Sequence, residues 1–137
     1  PGRRSSDPTM KNLLLGWPII APYERYEYAR STDNGRLVTL AGGYFGTTDT
    51  MKEGSPYQIV KRGEKSELPP TLIVQGTADT NLPVPITEQF ADDYRAAGGD
   101  MELNLFPGMP HLFGNTPGAD SDRAIGLMKK FVARILG

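Results

Sequence analysis

Two strand-like runs separated by one helical stretch set the architecture. Thr71-Leu72-Ile73-Val74-Gln75 is a short apolar run, and Met101-Glu102-Leu103-Asn104-Leu105-Phe106 alternates, with Met101, Leu103 and Leu105 on one side. Between them Pro85 opens a helix and Gly98-Gly99 closes it. Ile86, Phe90, Tyr94 and Ala97 form its expected apolar face. Two strands joined through a single helix lie parallel, connected by a right-handed crossover. The chain is therefore expected to be α/β. A parallel sheet needs cover on both faces. Leu13-Leu14-Leu15, ending near Pro18, supplies a third strand, which makes about three parallel strands with covering helices. A last helix starts near Asp120 or Ser121, with Ile125, Met128, Phe131, Val132 and Ile135 as its expected buried stripe. Lys129, Lys130 and Arg134 turn outward near the carboxyl end of its dipole.

The segment between the Leu13 run and the Thr71 strand is less regular. Pro22 through Asn34 mixes Tyr23, Tyr26 and Tyr28 with charges and reads as irregular or weakly helical, closed by an Asn34-Gly35 turn. Arg36 to Phe45 suits a short helix weakened by Gly42-Gly43. Thr47 or Thr48 caps a brief turn through Lys52. Ser55-Pro56 supplies an N-cap and first-turn proline for a helix to about Arg62. Pro1 through Pro8 reads as a flexible, polar surface segment.

Bulk properties narrow the function. The 137 residues suffice for one modest core, and the net charge of -1 lacks any basic block interleaved with aromatics, so no nucleic-acid partner is expected. With no cysteine, disulfides and thiolate chemistry are excluded. A lone histidine without a partner at ligand spacing argues against a metal, and no cofactor is expected. No apolar stretch reaches membrane-spanning length and no signal peptide is visible, so a cytoplasmic chain without a membrane span is expected.

Chemistry concentrates at two loops. The first strand runs into Gly76-Thr77-Ala78-Asp79, and the second into Pro107-Gly108-Met109-Pro110-His111. Chemistry in open α/β sheets collects outside the carboxyl ends of the strands. A carboxylate there can hold one imidazole nitrogen and leave the other free as a base. Asp79 and His111 are the candidate catalytic residues, in the acid-then-histidine order of a hydrolytic triad. A serine elbow of the form G-x-S-x-G is absent from the chain. Ser55 reads as a helix cap, and Ser5, Ser6, Ser31, Ser66 and Ser121 have no better claim to be the nucleophile. Trp17, Tyr23, Leu82, Leu112 and Phe113 are candidates for a substrate pocket. The aromatic group that includes Trp17, Tyr23, Tyr26, Tyr28, Tyr44 and Phe45 reads equally as a satellite core under a long connection.

Leu15-Gly16-Trp17-Pro18, Tyr44-Phe45-Gly46, Ser55-Pro56, Leu68-Pro69-Pro70, Gly76-Thr77-Ala78-Asp79 and Phe106-Pro107-Gly108-Met109-Pro110-His111 occur in that order. Together they resemble the C-terminal half of an α/β-hydrolase of the bacterial carboxylesterase/lipase type. The resemblance implies that Asp79 is the triad acid and His111 the base. It implies that Leu13–Ile20 follows the nucleophile helix, that residues 22–67 are a cap-like insertion, and that residues 68–137 carry the acid and histidine. The serine and oxyanion donors would come from an N-terminal half, as a second chain or a cleaved fragment, and the substrate would be a small ester. On this reading the chain alone is inactive. The open edge of the Leu13 strand also allows a homo-oligomer. Three alternatives stand beside this one: a serine peptidase of the prolyl-oligopeptidase type, a halogen- or epoxide-opening hydrolase, and a non-catalytic hydrolase-like binding domain.

Overall fold

The computed structural model describes residues 20–137. The Leu13 strand (apart from Ile20), the Pro1–Pro8 segment and Trp17 lie outside the described residues. Four helices come first: α1 (Pro22–Ser31), α2 (Gly35–Phe45), α3 (Thr48–Glu53) and α4 (Pro56–Lys61). Then β1 (Thr71–Gly76), α5 (Val84–Ala96) and β2 (Met101–Phe106) form the strand–helix–strand unit. A 3₁₀ turn (Phe113–Asn115) and α6 (Ala119–Leu136) complete the fold.

Side-chain caps open three of these helices, two of them at the expected Thr47 and Ser55. The Asn34 side chain accepts the Leu37 N–H at the start of α2, the Thr47 hydroxyl accepts Thr50 N–H for α3, and the buried Ser55 hydroxyl accepts Gln58 N–H for α4. Asn34 is thus a helix cap more than a turn closer. The segment expected to be irregular or weakly helical is a full helix, α1. Pro22 sets its first turn, Glu24 complements its amino end and Arg30 its carboxyl end. Its hydrophobic periodicity is weak because the tyrosines and charges alternate around the helix, so the pattern hid it.

β1 and β2 pair in parallel, from Thr71 opposite Met101 to Gly76 opposite Phe106. Both faces of this pair are covered. Ile73, Met101 and Leu103 pack with Tyr57, Phe90, Ala91 and Tyr94, against α5 and α4. Val74 and Phe106 pack with Phe113, Ala124 and Leu127, against α6 and the 3₁₀ turn. The buried stripe of α5 is Thr87, Phe90, Ala91 and Tyr94. Ala97, expected on that face, is exposed because it is the cap residue where the helix ends. Ile86 lies half-buried at the flank.

The α6 stripe departs further from expectation. Its buried residues are Ser121 and Ala124, whereas Ile125 and Met128 are 44% and 47% exposed. Phe131, Val132 and Ile135 are half-buried. Among the described residues the sheet has two strands, which is too narrow to cover the whole length of this 18-residue helix. None of the described helices is long and apolar enough to cross a membrane.

Candidate active site

Register decides what meets at the carboxyl edge. Gly76 and Phe106 are opposite each other, so the loops after β1 and β2 leave side by side. Three hydrogen bonds lace them together. Thr77 N–H donates to the Phe106 carbonyl (2.9 Å), Ala78 N–H to the Met109 carbonyl (3.0 Å), and Gly108 N–H to the Thr77 hydroxyl (2.7 Å). Two glycines make this possible. A Cβ on Gly76 would sit 2.0 Å from the Met109 carbonyl oxygen, so no larger residue fits. Gly108 turns the second loop with φ of 73°, a conformation that side chains other than hydrogen resist.

Asp79 closes the first loop on itself. Its Oδ1 accepts the N–H groups of Asn81 (2.7 Å) and Leu82 (3.1 Å). The buried Gln75 amide reaches from β1 and donates to the Leu82 carbonyl at 2.7 Å, which holds the loop from the other side. The remaining carboxylate oxygen, Oδ2, lies 2.9 Å from Nδ1 of His111. An ionised carboxylate only accepts, so Nδ1 carries the proton and Nε2 is left with its lone pair. The Asp79 side chain is 8% exposed and that of His111 19%. The acid is therefore sealed while the imidazole keeps an opening to solvent. Just after the ring, Leu112 adopts a left-handed conformation (φ 58°) that re-aims the chain into the 3₁₀ turn. The Ser121 hydroxyl of α6 then ties that turn down by donating to the Phe113 carbonyl at 3.0 Å.

The other candidates fall into different surroundings. Leu112 is exposed beside His111. Leu82 and Phe113 are not on an opening: each is buried in one of the two core clusters, where it supports a loop from beneath. Tyr23 is half-buried on α1, with the Lys52 ammonium 4.5 Å from its ring centre. The described serines are engaged locally. Ser31 donates to the Tyr28 carbonyl, Ser66 to the Glu64 carbonyl, Ser55 caps α4 and Ser121 anchors the 3₁₀ turn. Among the described residues no group of three or more His, Cys, Asp or Glu side chains is placed to hold a metal ion.

Sequence reasoning missed Arg25. Burial lowers its guanidinium pKa from the ordinary value, and the negative charge of Asp79 acts in the opposite direction. No motif signalled this, because α1 and the acid loop are brought together only by tertiary packing. The Thr77 hydroxyl was also missed; a threonine directly after a strand glycine carries no distinctive pattern.

The profile of the prolyl oligopeptidase family matches residues 37–137. Among solved structures, the native form of a thermophilic esterase from the Planctomycetes species Thermogutta terrifontis is 29% identical, with a TM-score of 0.58 over 72% of this chain and 34% of its own. The butyrate-bound form of that esterase gives 30% identity and a TM-score of 0.57, over 77% of this chain and 36% of its own. Thermogutta terrifontis esterase 2 phosphonylated by sarin gives 29% identity and a TM-score of 0.60, over 72% and 35%. This chain thus spans about a third of the length of the structures it matches. No curated protein matches it.

Proposed function

The chain belongs to the prolyl oligopeptidase family of α/β-hydrolases, and from that premise we propose that it supplies the acid and base of a serine ester hydrolase. The observation that carries the proposal is the 2.9 Å contact between Asp79 Oδ2 and His111 Nδ1 at the shared carboxyl edge of two parallel strands. In this reading residues 68–137 carry the catalytic pair and residues 22–67 form a cap-like insertion. The serine and the oxyanion donors come from residues outside this chain, in an N-terminal half that joins it as the same polypeptide, a second chain or a cleaved fragment.

The chemistry follows from the tautomer. Nε2 of His111 takes the proton of the serine hydroxyl as it attacks the ester carbonyl. The imidazolium that forms is stabilised by the buried carboxylate of Asp79, and it returns the proton to the departing alcohol. Water then enters, gives its proton to Nε2, and attacks the acyl-enzyme. The proton passes back to the serine as the carboxylic acid leaves. An ester is favoured over other acyl substrates because the structural relatives are esterases.

In the completed hydrolase, Asp79→Asn is expected to lower kcat on p-nitrophenyl butyrate by on the order of 10⁴, because an amide cannot enforce the same tautomer. His111→Ala is expected to abolish turnover above background. Unchanged turnover in both variants would reject the assignment. The family match also favours a second reading, a serine peptidase using the same pair on an amide bond. Comparing p-nitrophenyl esters with peptide anilides separates the two: preference for the anilides replaces the esterase reading.

A further inference from the structure

Phe106-Pro107-Gly108-Met109 makes a tight turn at the start of the loop that carries His111. The Met109 N–H donates to the Phe106 carbonyl at 3.2 Å, and Gly108, third in the turn, has a φ of 73°. This is the geometry of a type II turn. The Pro-Gly pair does not by itself demand it. Proline in second place suits types I and II alike, and glycine takes either sign of φ. The two types differ by about a half rotation of the peptide between Pro107 and Gly108. Packing does not choose between them: both residues are exposed, and nothing lies within 4 Å of where a Cβ on Gly108 would sit. A side chain of the other loop meets this peptide instead. The Gly108 N–H donates to Thr77 Oγ1 at 2.7 Å, a bond that a type I turn would aim away. Among the described residues, this bond and the Asp79–His111 contact are the two side-chain hydrogen bonds between the loops.

Thr77 is well placed to set the turn because it is itself anchored. Its N–H holds the Phe106 carbonyl at 2.9 Å, and the next N–H, of Ala78, holds the Met109 carbonyl at 3.0 Å. The first, third and fourth residues of the turn are therefore gripped from Thr77 and Ala78. Asp79 follows directly, and its Oδ2 is 2.9 Å from His111 Nδ1. On the other loop Pro110, whose ring fixes φ, stands between the turn and His111, so the orientation set at Gly108 is passed on stiffly to the imidazole. We propose that Thr77 is a positioning residue for the Asp79–His111 pair: its hydroxyl holds the Pro107–Gly108 peptide in the type II orientation and so keeps the imidazole on the carboxylate. The role rests on the reading of Asp79 and His111 as acid and base. Thr77 is exposed, so water can take up the Gly108 N–H when the hydroxyl is lost. The fold then survives while the pair loses its alignment.

The test uses the completed hydrolase with p-nitrophenyl butyrate. Thr77→Val keeps the branched shape and removes the acceptor. It is expected to lower kcat about tenfold with KM within about twofold, since small misplacements of a catalytic group are costly. Thr77→Ser restores the acceptor and is expected to bring kcat back to within about twofold of the wild type. A double-mutant cycle gives the readout that mere loss of structure would not move. If Thr77 acts by holding His111 on Asp79, Thr77→Val costs less than about twofold further in the Asp79→Asn background, whereas a smaller folded fraction would lower turnover equally in both backgrounds. Thermal unfolding of each variant checks the fold; should Thr77→Val fail to fold, Thr77→Ala takes its place in the cycle. A kcat unchanged in a folded Thr77→Val, a rise in KM with kcat preserved, no recovery in Thr77→Ser, or full additivity with Asp79→Asn would each overturn the proposal. Loss of turnover in Asp79→Asn together with any of these leaves the catalytic pair standing and removes only the role of Thr77.

Discussion

Gly76 carries more of the site than its lack of a side chain suggests. The Met109 carbonyl occupies the space a Cβ would need, so Gly76→Ala forces the two loops apart. The expected cost is about 1–3 kcal/mol, measured by urea denaturation, with turnover falling as the acid and imidazole separate. Gln75 acts from beneath. Gln75→Leu keeps the volume but leaves the Leu82 carbonyl without its donor, and a loss of about 1–3 kcal/mol is expected in the same assay. At this scale the site was half legible. Asp79 and His111 stood out because each follows a strand directly, and strand ends are where an open sheet gathers its chemistry. Gln75 and Thr77 did not stand out. Their roles depend on what lies across from them, which residue spacing along the chain does not encode.

α5 shows how an element takes its place through one side chain. The Tyr94 hydroxyl donates to the Pro69 carbonyl and receives Thr71 Oγ1 at 3.3 Å, which fixes the helix to the entrance of β1. A Cβ on Gly99 would strike the Tyr94 ring, so the turn after the helix is shaped around it. Burial raises the Tyr94 phenol above its ordinary value near 10, the Thr71 bond offsets part of this, and the charge of Asp100 adds to it. A phenol harder to ionise when folded contributes stability that is whole below its unfolded pKa. That contribution is lost as pH rises through the raised folded value. Denaturation at pH 9 and pH 11 should therefore show a larger alkaline loss in the wild type than in Tyr94→Phe. Helices with local punctuation (Thr47, Ser55-Pro56, Pro85) were legible in the sequence because capping is a short-range interaction. α1 lacks a clear apolar stripe and was not. The stripe of α6 was read correctly as apolar but wrongly as buried, since burial depends on the width of the sheet beneath it.

The described molecule is a strand pair with helices on both faces and an α6 surface wider than the sheet it covers. Exposed Ile125, Met128 and Leu136 on one helix make an apolar band of the kind that soluble surfaces seldom leave open. If the proposed N-terminal half widens the sheet, this chain alone should enhance the fluorescence of an apolar dye such as ANS, and the completed hydrolase should not. Equal dye binding by both would count against completion across that face. The lacing between the two loops has a kinetic corollary. The acid and the imidazole are spaced by bonds internal to this chain, so no ordering of one against the other is left for an incoming serine to bring about. Restoring activity by mixing separate pieces should then follow a simple saturation curve in the added piece, with no lag, as though a plug were meeting a socket already cut to size.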